Sequence, residues 1–262
     1  MNRHASLLVG ILLLIPALVL PASGESVVPG EVLALEFPEL GEMHGNLPAV
    51  CEVSVPKGYD PQKPSPLLVW FAGGKGSHRV EGARGLVDFD RFVVVALPYP
   101  NGHDMRKVIK DGGLEAVRTF HQAMMARVLA LIPNIDPNVR VVAGTSNGAH
   151  LIGSALSLGW DEFTDYFTLF VLHEGGSAAS NKYPGAKDKR LLVIWGEQSE
   201  ARRWQSWFNW RIGQSDARVS YHSIPVAGHG LNARGREMIR SWIEEMAFSP
   251  KGFDPSGPAK GI

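Results

Sequence analysis

Residues 144–148 read Gly-Thr-Ser-Asn-Gly, and their flanks constrain the fold more than any other part of the chain. The β-branched run Val139-Arg140-Val141-Val142-Ala143 leads in. The helix-compatible segment Ala149-His150-Leu151-Ile152-Gly153-Ser154-Ala155-Leu156 leads out. A strand, a tight turn and a helix in that order are the context in which G-x-S-x-G carries chemistry. The turn exposes the serine oxygen. Glycine is required on either side because a Cβ there would strike the neighbouring strand or helix. The amides and dipole of the helix N-terminus then favour negative charge developing at the site. Ser146 is therefore the candidate nucleophile; the competing reading is a turn serine that caps the helix.

Short apolar runs bounded by Gly, Pro, Asn or Asp recur along the chain: Val50–Val55, Leu67–Phe71, Phe92–Leu97, Val139–Ala143, Phe167–Leu172, Leu191–Trp195 and Val219–Ile224, with Leu33–Phe37 as an added edge strand. Most are continuous rather than alternating, as in central strands covered on both faces. Between the later runs, apolar residues repeat every three or four positions. Examples are Leu114, Val117, Phe120, Met124, Val128 and Leu131, then Trp204, Trp207 and Phe208, then Ile239, Trp242, Ile243 and Met246. Strands alternating with helices predict an α/β architecture with a mostly parallel central sheet and helices on both faces. In such sheets ligands bind beyond the carboxyl ends of the strands. The segments there are Ala72-Gly73-Gly74-Lys75, the Ser146 turn, Glu174-Gly175-Gly176, Gly196-Glu197-Gln198-Ser199-Glu200 and Val226-Ala227-Gly228-His229-Gly230.

Residues 1–24 read as a secretory signal. Arg3 and His4 precede an apolar run from Leu7 to Leu20, and Pro21-Ala22-Ser23-Gly24 offers small residues for cleavage. The run is too short for a comfortable membrane span. The expected organisation is a signal over 1–24, one domain over 25–248 and a Gly/Pro/Lys-rich tail over 249–262. Secretion, or release to a periplasm, is the expected localisation, without stable membrane association after cleavage. Lys plus Arg and Asp plus Glu are both 26, so nothing points to nucleic acid or an anionic surface. The single Cys51 excludes an intramolecular disulfide, and its place in a strand predicts a buried, inert thiol. No metal-binding spacing and no G-x-G-x-x-G after a strand occurs, so neither metal nor cofactor is expected.

With these stretches the chain resembles the α/β-hydrolase family, and within it secreted esterases of the polyhydroxybutyrate-depolymerase and feruloyl-esterase type. The resemblance rests on Val55-Pro56-Lys57-Gly58-Tyr59-Asp60, on Pro66–Phe71 with its glycine loop, on Gly144–Gly148 and on Gly228-His229-Gly230, and it spans roughly Val50 to Met246. It implies the α/β-hydrolase fold and cleavage of a carboxylic ester, on a small molecule or a polymer, by a serine mechanism. A catalytically silent binding protein and a small serine peptidase of the same fold are the alternatives.

His229, on a glycine-flanked loop after the last strand, is the candidate base, because an imidazole on such a loop can reach the serine. His150, in the helix after the elbow, reads as structural. The oxyanion hole is expected from the backbone amides of Asn147 and of Gly73 and Gly74. Many relatives carry histidine where this chain has Ala72; backbone donors do not require it. The acid is open. Resembling esterases place aspartate where Ser199 stands here. Glu200 lies closest and is the expected acid, with Glu174 and Glu197 as alternatives. The aromatic group Trp204, Trp207, Phe208 and Trp210 reads first as core packing, with Trp210 as a ring that can line a substrate site.

Overall fold

The computed structural model describes residues 26–46, 49–100, 104–178 and 182–249. The expected signal, and all of the expected tail except Ser249, lie outside the described residues. Eight strands form one sheet: β1 (Val32–Phe37), β2 (Ala49–Ser54), β3 (Ser65–Phe71), β4 (Val93–Ala96), β5 (Ile135–Thr145), β6 (Leu169–His173), β7 (Arg190–Gly196) and β8 (Arg218–Ile224). Their order is β1-β2-β4-β3-β5-β6-β7-β8. β2 runs antiparallel to both β1 and β4, and every other neighbouring pair from β4 to β8 is parallel. All eight expected strands are present. β5 starts earlier than expected, where an irregularity in its pairing with β3 admits Asp136, Pro137 and Asn138.

The helices are α1 (Met105–Val108), α2 (Leu114–Leu131), α3 (Asn147–Leu158), α4 (Asp161–Thr164), α5 (Arg202–Gly213) and α6 (Ala233–Phe248). Alternation along the strands divides the core in two. Phe71, Val142, Phe170 and Val193 face one way, against Phe120 and Met124 of α2, Leu151 and Ile152 of α3, and Phe208 and Ile212 of α5. Trp70, Val141, Val171 and Ile194 face the other way, against Ile239, Trp242 and Ile243 of α6. The strands read as continuous apolar runs because both faces are covered. Burying each such Val, Leu, Ile or Phe side chain contributes roughly 1.5–3 kcal/mol. Cys51 is fully buried, as a thiol packed like a small apolar residue. Core packing holds for Phe208 but not for Trp207 and Trp210, which are 40% and 56% exposed. The Arg211 guanidinium lies over both indoles. Among the described residues no helix is long and apolar enough to cross a membrane.

Candidate active site

Ser146 sits between β5 and α3 with φ 50° and ψ −111°. A non-glycine residue there is strained by about 1–3 kcal/mol and persists only where its surroundings enforce it. Two hydrogen bonds and two close approaches of glycine do so. The Ser146 amide donates to His173 O (2.8 Å), and the His150 amide donates to Ser146 O (2.9 Å). A Cβ on Gly148 would come within 2.2 Å of Phe71 O, and one on Gly144 within 2.5 Å of the Gly148 carbonyl carbon. The glycines therefore let α3 descend onto β3 and β5, which forces the sharp turn. Ser146 occupies the cap position of α3 but its hydroxyl makes no capping hydrogen bond. That removes the competing reading of a capping serine.

The residue that meets His229 is Glu174. Its Oε2 lies against His229 Nδ1, and its Oε1 accepts from the Gly196 amide (2.9 Å). The Glu174 side chain is fully buried, whereas that of His229 is 58% exposed. A buried carboxylate without partners is costly; here both oxygens are engaged. This corrects the expectation placed on Glu200. Glu200 is exposed on the turn before α5, and its side chain makes no ion pair or hydrogen bond among the described residues. Glu197 is also exposed and accepts from Ser223 Oγ (2.8 Å). Ser199 is buried and its hydroxyl accepts from the Ala201 amide (3.2 Å). The β7 exit is thus built as a helix start rather than as a carboxylate mount.

Glu174 follows β6 as Ser146 follows β5. Thr145 pairs with His173 in the ladder, so the two residues occupy the next step on adjacent strands, and Glu174 also has positive φ, 52°. Gly175 and Gly176 make that turn possible. A Cβ on Gly175 would come within 2.5 Å of Ser146 O, and one on Gly176 (φ 108°) within 2.5 Å of Phe208 Cζ. Glu174 therefore mounts His229 beside the elbow. The His229 loop is held from below: a Cβ on Gly196 would come within 2.5 Å of both Ala227 O and Gly228 O, and the Gln198 amide donates to Ala227 O (2.8 Å).

The loop after β3 lies across the elbow. A Cβ on Gly73 would approach Ser146 Cβ to 3.4 Å, and Gly74 adopts φ 60°. The amides of Gly73 and Gly74 donate no backbone hydrogen bond among the described residues. Tyr99 fixes the loop's base, its hydroxyl donating to Ala72 O. Burial pushes the Tyr99 hydroxyl well above its usual range, so it remains a donor. The Asn147 amide opens α3 beside this loop.

Two further histidines border the site. His173 is 1% exposed, with Nδ1 2.6 Å from Thr145 Oγ1. Burial, with lesser contributions from the charges of His229 and Arg236, lowers its pKa to about 3. His150, one helical turn beyond Ser146, places Nδ1 3.1 Å from Ser177 O and packs against Trp204. Burial, then Arg106, lowers its pKa to about 4. Both rings are neutral at pH 7. Sequence reading gave no role to Thr145 or Tyr99, and missed the pairing of Thr145 with His173. That pairing follows from strand register, which was not legible before the strands were in place. Among the described residues no group of three or more His, Cys, Asp or Glu side chains gathers to hold a metal.

No family model matches the chain, and no curated protein does. Solved structures do. An esterase from Pyrobaculum calidifontis superposes with TM-score 0.59 at 16% identity, covering 84% of this chain and 86% of that one. Esterase 2 of Thermogutta terrifontis, phosphorylated by paraoxon, gives 0.57 at 15%, over 86% and 97%. The Bacillus cereus carboxylesterase gives 0.55 at 16%, over 83% and 94%. Similarity at this level of identity speaks to architecture. Together with the strand order and the Ser146 elbow, it establishes that this chain has the α/β-hydrolase fold.

Proposed function

We propose that the protein is a secreted serine hydrolase that cleaves carboxylic esters, on a small molecule or a polymer, with Ser146, His229 and Glu174 as its triad. The observation that carries this reading is the placement of the His229–Glu174 pair beside a serine in a strained, uncapped elbow. Glu174 on Nδ1 selects the tautomer with a proton there and leaves Nε2 with a lone pair. Nε2 takes the proton of Ser146 as Oγ attacks the ester carbonyl carbon. Charge moves to the carbonyl oxygen, where the amides of Asn147 and of the Gly73–Gly74 loop, with the N-terminal dipole of α3, favour it. The carbon–oxygen bond to the alcohol breaks, and Nε2 returns the proton to the leaving alkoxide. Water, activated in turn by His229, releases the acid and restores Ser146. The buried Glu174 carboxylate stabilises the imidazolium formed in both halves.

Solved neighbours that are esterases support this chemistry. The signal pattern at residues 1–24 supports export. The test is labelling of purified protein by a fluorophosphonate probe, together with turnover of p-nitrophenyl butyrate. Wild type is expected to label and turn over, and Ser146→Ala to do neither. Equal labelling of both would refute the assignment. Intact mass of exported material is expected to lack residues 1–24; retention of Met1 would refute cleavage.

A further inference from the structure

Asn147 has so far been given only a backbone role, yet its side chain joins three segments. The residue is 8% exposed. Its Oδ1 accepts from the Met105 amide at the start of α1 (2.9 Å), and its Nδ2 donates to Gly74 O (2.8 Å). Only one orientation of the carboxamide satisfies both partners, since one needs an acceptor and the other a donor. A single buried amide therefore ties the nucleophile helix to the loop after β3 and to α1.

The loop needs such a tie. Gly73 and Gly74 have no Cβ to restrict them, and Gly74 sits at φ 60°, so a peptide plane here can turn over at little steric cost. A flipped Gly74 peptide would aim a carbonyl oxygen where the loop is expected to present N–H groups. The unit that carries the Gly74 amide is held through Gly73 O, which accepts from the Gly76 amide (3.1 Å). Because each peptide unit is planar, capture of Gly74 O by Asn147 fixes the next unit, Gly74–Lys75, so Gly74 is pinned on both sides and its carbonyl stays turned away from the site. We propose that the Asn147 side chain is a positioning residue that holds the Gly73–Gly74 loop with its amides, rather than its carbonyls, toward the oxyanion. This rests on the hydrolase reading above and extends it to a side chain that touches no substrate.

Asn147→Asp and Asn147→Leu test it; Asp matches asparagine in size, and Leu keeps the branch at Cγ but is larger. Asp keeps an acceptor for Met105 but cannot, as a carboxylate, donate to Gly74 O; Leu loses both bonds. The readouts are kcat and KM for p-nitrophenyl butyrate, and the affinities of octyl trifluoromethyl ketone and octyl methyl ketone. The fluorinated ketone forms a tetrahedral oxyanion with the serine, while the plain ketone measures ground-state binding. Losing one direct oxyanion donor costs about 10²–10³-fold in kcat, so misplacing one is expected to cost on the order of 10–100-fold. Affinity for the trifluoromethyl ketone should fall in parallel, with KM and methyl-ketone affinity changed by less than about threefold. Equal losses for both ketones, unchanged kcat in a folded Asn147→Asp, or failure of both variants to fold would each overturn the proposal in favour of a structural or neutral role. A wild type that neither labels nor turns over would instead sink the hydrolase reading, and is a separate result.

Discussion

The exits of β6 and β7 lie side by side and both carry glutamate, but they are built differently. After β6, Glu174 is fully buried, has φ 52°, and spends one oxygen on the Gly196 amide and the other on His229. After β7, Glu197 and Glu200 are exposed, Glu197 accepting from Ser223 Oγ at the surface, and the buried polar residue is Ser199, occupied with the Ala201 amide. An exposed carboxylate is oriented by water and its own rotamers, and its field is screened. A buried one is oriented by the fold and acts through a medium of low polarizability. The comparison teaches that backbone conformation, more than residue type or spacing, decides which carboxylate can serve a histidine.

The largest effect that tests this contrast is on turnover. Glu174→Gln keeps the shape and a hydrogen-bonding group but cannot stabilise an imidazolium, and it permits the wrong tautomer. The expected loss in kcat is on the order of 10³–10⁴-fold, as when a triad carboxylate becomes an amide in a serine protease. Glu200→Gln is expected to stay within about twofold, like most surface changes. Steady-state kinetics on p-nitrophenyl butyrate compares them. A large loss in Glu200→Gln with Glu174→Gln intact would move the acid to the β7 exit and break the comparison.

The strands and the helices α2, α5 and α6 were legible in the sequence because their burial imposes unbroken or three-to-four-residue apolar patterns, and α3 was legible from the turn that precedes it. Ser146 was legible because its turn needs glycine at two fixed positions, 144 and 148. Glu174 had no such signature. Its turn also needs glycine, but Gly175 and Gly176 are needed for contacts with Ser146 and Phe208, which are far away in the chain. The preference for Glu200 came from spacing counted along one loop, and spacing is blind to which side chain the fold buries. The four-residue helices α1 and α4 are too short to show a period, so the partner that Met105 offers to Asn147 was hidden as well.

A smaller effect concerns stability under acid. The β6 exit carries His173 with a pKa of about 3, and His121, buried behind Phe71, has one of about 4, again chiefly through burial. An unfolded histidine titrates near 6.5. Between that value and the folded pKa, the unfolded chain binds more protons, so stability is full above about pH 6.5 and falls as pH drops toward 4. Each such group contributes a slope of up to about 1.4 kcal/mol per pH unit. Urea midpoints at pH 7, 5.5 and 4.5 measure it. His173→Gln, which cannot titrate, is expected to flatten the slope by about one proton. An unchanged slope would mean that His173 is accessible to protons in the folded protein, and the β6 exit would lose its claim to be the drier of the two.

The smallest effect lies at the β7 exit. Ser199 Oγ accepts from the Ala201 amide immediately before α5, so it closes a local turn at the helix start. Removing such an acceptor typically costs about 0.5–1.5 kcal/mol. Ser199→Ala is therefore expected to lower the urea midpoint modestly while leaving kcat on p-nitrophenyl butyrate within about twofold, since nothing in the Glu174–His229 pair depends on that hydroxyl. The outcome separates the two exits. A mount for the acid should trade activity, and a helix start should trade only stability. If Ser199→Ala lost turnover without losing stability, the β7 exit would be part of the machinery after all. Its resemblance to the aspartate position of other esterases would then be more than positional.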